Sequence, residues 1–317
     1  MAGFDEIRSV IESCSRIVIS AHTSPDGDAV GSCCGLAMAL NELGKEVAVV
    51  LEEYSESFNI IPTGGLMHTS LPENFNPELF IALDCGDLER LGENAQLFNS
   101  VKTTINIDHH MSNTNFAKYN YADEYASSAS ELVFRLLYGY APFNEDIAAA
   151  LYTGILYDTG GFRHSSTSPA TMIAAAELME YDFDFSGIYN KIFSTRKLKE
   201  AKGLGIALDR LQTAFDGKAV YTWMTLEDME KIGVVSDDLH AVTGFIKGIE
   251  GCEVSMFIYE KQPGTFKVSM RSEDSVDVCA VCSAFGGGGH KKASGCTLEG
   301  KPQEIAEKIL QEVSKQL

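Results

Sequence analysis

The chain has 317 residues, a formal net charge of −20 and a sequence pI near 4.7. Such acidity excludes a protein that coats long nucleic acid, because that mode of binding depends on neutralising many phosphates at once. A hydrophobic content of 45%, a mean hydropathy of −0.04 and no apolar run near the ~20 residues of a membrane span describe a globular protein large enough for two domains.

The opening Met1-Ala2-Gly3-Phe4-Asp5-Glu6 lacks the basic start and apolar core of a signal peptide, so a cytoplasmic location and no membrane association are expected. Periodicity predicts a helix over 4–14 and a buried strand over 16–20 that runs into His22-Thr23-Ser24-Pro25-Asp26-Gly27-Asp28. Asp26 and Asp28, two apart in extended chain, can project to the same side. Capping of the next helix would account for Asp28 but not for His22 and Asp26 as well. A helix over 29–43 rich in small residues, closed by Gly44, and a strand over 46–51 complete a parallel α/β signature.

A third strand, 79–83, ends in Asp84-Cys85-Gly86-Asp87, and a fourth, 103–107, ends in Asp108-His109-His110. Helices are expected over 127–138, from the Asn144 cap to Leu156 with Asp158-Thr159-Gly160-Gly161 beyond, and over 168–180. The pattern then shifts, giving a catalytic domain over 1–185, a helical connector over 186–213 and a smaller unit over 214–317. That unit reads as a strand from 219, a hairpin (253–260 and 265–271) turning at Lys261-Gln262-Pro263-Gly264, a helix near 277–285, a strand over 293–298 and a final helix. The eight cysteines sit mostly in apolar segments and read as reduced thiols, including the C-x-x-C pair Cys279 and Cys282.

In an open parallel sheet, ligands bind at the carboxyl ends of the strands. His22, Asp26, Asp28, Asp84, Asp108, His109 and His110 all fall at such ends, and Asp158 ends a helix that can reach the same crevice. So many carboxylates cannot stay ionised side by side without cations, and oxygen-rich ligation with a few imidazoles suits Mn²⁺ or Mg²⁺. There are ligands enough for two ions sharing a carboxylate, the apparatus that activates water for attack on phosphorus. In the second unit, the four glycines 286–289 are read as serving an anion rather than packing, with His290, Lys291 and Lys292 adding charge. Arg271 at a strand end suits a phosphate or a solvated surface equally.

These motifs together resemble the DHH phosphoesterase superfamily: His22-x-x-Pro25-Asp26-Gly27-Asp28, then Asp84, Asp108-His109-His110 and Asp158, followed by Arg271-Ser272 and the glycine-rich run to His290 of its DHH-associated C-terminal domain. The resemblance implies an α/β fold with a parallel-sheet catalytic domain, a smaller α/β domain and an active site in the cleft between them. The two-domain layout is similar to that of the NrnA-type oligoribonucleases, which implies short single-stranded RNA and adenosine 3′,5′-bisphosphate (pAp) as substrates, and allows a homodimer.

Carried over residue by residue, it implies one Mn²⁺ on His22, Asp26 and Asp84 and a second on Asp28, Asp84, His109 and Asp158, with Asp84 bridging and Mg²⁺ as the alternative metal. His110 would contact the scissile phosphate, Asp108 would orient a ligand imidazole, and Arg271, Ser272, Gly288 and His290 would hold the far phosphate or terminal nucleotide. Arg163 and His164 suit substrate contact or a structural role equally. The rival activities are an inorganic pyrophosphatase or exopolyphosphatase, a linear or cyclic dinucleotide phosphodiesterase, and a non-catalytic nucleotide sensor.

Overall fold

A computed structural model describes residues 2–317 and divides the chain into two units, one ending at Thr195 and the other starting at Arg196. The first unit contains strands β1 (Arg16–Ser20), β2 (Glu46–Val50), β3 (Met67–His68), β4 (Leu79–Leu83), β5 (Thr103–Asp108) and β6 (Tyr119–Ala122). Its helices are α1 (Phe4–Glu12), α2 (Gly27–Glu42), α3 (Asn94–Ser100), α4 (Ala129–Leu137), α5 (Glu145–Asp158), α6 (Pro169–Leu178) and α7 (Phe185–Tyr189). The strands form one parallel sheet in the order β3-β2-β1-β4-β5-β6. The order reverses between β1 and β4, so the chain leaves those two strands in opposite directions and opens a crevice beyond their carboxyl ends.

Alternation along the strands buries both faces. Ile17, Ile19, Ile81 and Leu83 pack with residues of α2, α4 and α5, whereas Val18, Phe80 and Ala82 pack on the other side with Phe98 of α3. Two glycines let the helices close over the site end of the sheet. A β-carbon on Gly31 would come within 2.5 Å of the Ala150 carbonyl, so α2 and α5 touch backbone to backbone. One on Gly154 would strike the Ser130 hydroxyl and come within 2.7 Å of Asp28 Oδ1.

The second unit contains α8 (Leu198–Asp209), β7 (Gln212–Ala214), β8 (Ala219–Met224), α9 (Leu226–Ile232), α10 (His240–Lys247), β9 (Val254–Gln262), β10 (Thr265–Ser272), α11 (Val278–Ser283), β11 (Gly288–His290), β12 (Ala293–Glu299) and α12 (Pro302–Val313). Its sheet runs β11-β12-β10-β9-β8-β7, antiparallel except for β8 and β9. α11 and α12 cover one face, and residues of α8, α9 and α10 cover part of the other. All eight cysteines are free. Among the described residues, no helix is long and apolar enough to cross a membrane.

The structure differs from the sequence reading chiefly in short elements: β3, β6, β7, α3, α9 and α10 were not expected. The glycine run is a correction of substance. Gly288 to His290 form an edge strand, and β-carbons on Gly287 and Gly289 would meet the backbone of β12 at Gly295 and Ala293, so packing does require glycine at two of the four positions. Gly286 and Gly288 have open space before them.

The glycines give a stability test with an internal control. Gly31→Ala and Gly154→Ala should each lower the free energy of urea unfolding by about 1–3 kcal/mol through overpacking. Gly205→Ala, inside α8 with nothing within 4 Å, should raise it by about 0.5–1 kcal/mol.

Candidate metal centre

The crevice beyond β1, β4 and β5 receives its side chains from five segments. The loop after β1 carries His22, whose Nδ1 lies 2.8 Å from the Thr23 carbonyl. That bond places the proton on Nδ1 and leaves Nε2 with its lone pair facing Asp84 Oδ2 at 3.4 Å and Asp26 Oδ1 at 3.9 Å. Asp26 is the N-cap of α2: its Oδ1 accepts from the Asp28 and Ala29 amides. The capping aspartate is therefore Asp26 and not Asp28, as the sequence had suggested. Asp28 is fully buried and takes the first two amides of α4, Ala129 N at 2.6 Å and Ser130 N at 2.9 Å.

Asp84 follows β4 directly, with a backbone φ of 51°, in the left-handed region that aspartate tolerates better than most residues. The turn aims an almost fully buried carboxylate into the crevice. Its Oδ1 makes no hydrogen bond of acceptable geometry; the nearest ring nitrogens are His109 Nε2 at 3.3 Å and His110 Nδ1 at 3.6 Å. His109 Nε2 also lies 3.2 Å from Asp158 Oδ2, at the end of α5.

Three groups of ligand atoms thus converge, each set within 4.8 Å of one another: His22, Asp26 and Asp84; Asp28, His109 and Asp158; and Asp84, His109 and His110, which links the other two. His110 also lies near Asp84, but its Nδ1 is 2.7 Å from Asp108 Oδ1 and is committed there. Asp108, fully buried, accepts at its other oxygen from Asn113 at 2.6 Å. It therefore orients His110; the resemblance implied that it orients a ligand imidazole. Asn113, which also bonds Asn106, was missed in the sequence because an asparagine in a polar loop carries no distinguishing signal.

Electrostatics fit a cation site. Burial drives Asp28 well above the ordinary carboxylate range and, with Asp84 nearby, raises Asp26. Burial also lifts Asp158 to about 6, with His109 opposing. Burial works against charge on Asp84 and on His109, yet their mutual pairing wins, lowering the acid and raising the base to about 10. An orphaned buried carboxylate oxygen among imidazoles and half-satisfied acids is a donor set suited to hard divalent ions.

In the second unit, Arg271 on β10 lies opposite Ala293, which lies opposite His290 on β11; Ser269 lies opposite Gly295, and Gly295 opposite Gly288. Side chains opposite one another share a face, so Arg271 and His290 stand in one row with Gly288 in the next. Ser272, one residue on, turns to the other face, where it is buried with its hydroxyl donating to the Lys291 carbonyl. The Arg271 face is floored by Phe257 and Tyr259 and opens into a cavity of about 400 Å³ that Lys247 and Lys267 also line. Those two lysines stand alone in the sequence and gave no signal. Arg163 Nε donates to the Gly160 carbonyl and His164 Nδ1 lies 3.1 Å from the Asp158 carbonyl, so both fold back on the end of α5.

Residues 16–155 match the DHH family, N-terminal domain, and residues 216–317 match the DHHA1 domain. The bifunctional oligoribonuclease and PAP phosphatase NrnA of Thermus thermophilus is 32% identical over 95% of this chain and 90% of its own length. The protein of the same name from Bacillus subtilis is 29% identical over 92% of each. The crystal structure of an exopolyphosphatase-related protein from Bacteroides fragilis superposes with a TM-score of 0.83 at 26% identity, covering 98% of this chain and 95% of that one.

Metal binding should be linked to proton release. Protons on Asp28, Asp158 and His109 must leave before these groups ligate, so Mn²⁺ affinity should rise with pH from 5 to 8 and fall steeply below about 6. Calorimetric titration in buffers of different ionisation enthalpy reads the proton count directly. Asp84→Asn should abolish the Mn²⁺-induced rise in melting temperature; a rise equal to that of the unaltered protein would remove Asp84 from the centre.

Proposed function

The chain belongs to the DHH family, and from that premise we propose that it hydrolyses short oligoribonucleotides to mononucleotides and pAp to AMP. It is a hydrolase of phosphate esters, and the observation that carries the reading is the set of ligand groups linked through Asp84 and His109, with an imidazole oriented by Asp108 beside them. We assign one ion to His22, Asp26 and Asp84 and the other to Asp28, Asp84, His109 and Asp158, with Mn²⁺ preferred and Mg²⁺ the alternative. When bound, such ions supply an activated water and neutralise charge on the phosphoryl group.

The protein's own groups do the rest. Asp108 holds the His110 Nδ1 proton and raises the ring's pKa, against burial, leaving Nε2 free to donate to a phosphoryl oxygen as charge grows there. Asn113 fixes Asp108 from the other side. His22 is held in the ligating tautomer by Thr23. In the second unit we assign Arg271, His290 and the Gly288 backbone to the phosphate or nucleotide remote from the reacting bond, with Ser272 tying down the turn at Lys291 rather than touching substrate. Lys247 and Lys267 extend the same positive face, which suits the second phosphate of a short strand.

A labelled RNA ladder, two to about twenty-four nucleotides chosen around the short single-strand range, run in Mn²⁺ beside pAp and pyrophosphate, tests this assignment. Loss of the shortest RNAs with pAp cleaved and pyrophosphate spared is expected; pyrophosphate turnover with RNA untouched would overturn it. Arg271→Ala should lower kcat/KM by about tenfold or more, mainly through KM, because it removes a charge-assisted contact outside the reacting centre.

A further inference from the structure

The first unit holds a second cavity, of about 440 Å³, that opens directly beside the metal centre and has no part in the chemistry described above. Two pairs of consecutive residues join it to that centre. Pro25 lines the cavity next to Asp26, and Tyr157 lines it next to Asp158. Asp26 itself belongs to both. Whatever enters the cavity therefore sits immediately beside a phosphorus held at the metal ligands.

The lining decides what can enter. Among the described residues that line it there is no Lys, Arg or His, while Asp26 and the exposed Glu53 contribute carboxylates. A phosphate would be repelled there. The walls are aromatic: Tyr54, Phe58 and Tyr157. Phe58 meets Tyr157 edge to face, with centroids 5.2 Å apart at 88°. Tyr157 is pressed against α2, where a β-carbon on Gly27 would come within 2.6 Å of the ring. Tyr54 is anchored by its hydroxyl, which donates to Met67 Sδ at 3.1 Å. Fixed rings beside serine hydroxyls and a carboxylate match a flat, uncharged group with hydrogen-bond donors on its edge. A nucleotide supplies such a group one sugar away from its phosphorus.

We infer that this cavity is a nucleobase subsite, in which Tyr54 and Tyr157 receive the base of the nucleotide whose phosphate is attacked and Glu53 accepts from an amino group on its edge. The inference rests on the proposed nucleotide hydrolase activity and adds to it the origin of selectivity for nucleotides over inorganic phosphoanhydrides. The anion-binding face of the second unit carries charge recognition. This cavity carries base recognition.

The test compares pAp with 1-deoxyribose 3,5-bisphosphate, which keeps both phosphates and lacks the base. The unaltered protein should prefer pAp by about tenfold or more in kcat/KM, the range expected of base stacking. Tyr54→Ala should erase most of that preference through KM, and Tyr54→Phe should retain it. A Mn²⁺-induced melting shift equal to that of the unaltered protein would certify that the variant is folded with its metal centre intact. Glu53→Ala, at an exposed position, provides a second variant and should lower the preference for adenosine over purine riboside bisphosphate by about fivefold. Equal turnover of pAp and its base-free analogue, or a preference indifferent to both substitutions, would overturn the subsite while leaving the hydrolase assignment standing. Turnover of neither compound, with short RNA also untouched, would overturn the hydrolase assignment and the subsite with it.

Discussion

Crowding of like charge at the carboxyl end of a buried sheet is the constraint around which the first unit is arranged. Asp28, Asp84 and Asp108 are removed from water within a few residues of Asp26 and Asp158, and each would drive the others toward protonation if nothing compensated. The fold answers each acid differently. Asp28 is given the amino end of α4, Asp108 is given Asn113 and His110, and Asp84 is given two imidazoles at the limit of hydrogen-bonding distance. Only Asp108 is settled by the protein alone. Asp84 is not, and the atom left over, its Oδ1, faces His109 Nε2 at 3.3 Å, where the ligand groups are linked.

That division explains why several structural features cluster near the site. Asp28 can reach α4 only because α2, α4 and α5 approach closely, and Gly154 is what permits the approach. Asp84 can face the crevice only by entering a backbone region most residues avoid, immediately after a strand whose partners hold it in place. Neither feature improves packing by itself. Both are understandable as the cost of presenting carboxylates to cations from a rigid support, and cation binding returns stability by acting on the folded state alone.

The parts legible in the sequence were those in which an apolar run ends in ligating residues. β1, β4 and β5 could be recognised from their own composition, and His22, Asp84 and His109 follow from where those runs stop. The exchange of roles between Asp26 and Asp28 was not legible, because both are plausible caps and the partner of Asp28 lies about a hundred residues away. The glycine run misled for a related reason: a missing side chain signals close approach, but only the fold reveals whether the neighbour is a ligand or, as at Gly287 and Gly289, the backbone of β12. β3 and β6 escaped notice because two to four residues carry no period; their pairing with β2 and β5 makes them strands. Ser272 was grouped with Arg271 by adjacency, whereas alternation along β10 sends the two to opposite faces.

A chain of net charge −20 can attract an anion only where positive charge is concentrated locally. In the first unit, divalent ions held by the clustered acids would supply such a charge locally. In the second, Arg271 and Lys267 from one face of β10 and Lys247 from α10 line a single cavity. A long strand gains nothing further by extending past such a patch, since its remaining phosphates meet an acidic surface. Under the proposed activity, a preference for short strands would therefore need no barrier at the end of a groove: positive charge of such small extent is sufficient to favour them.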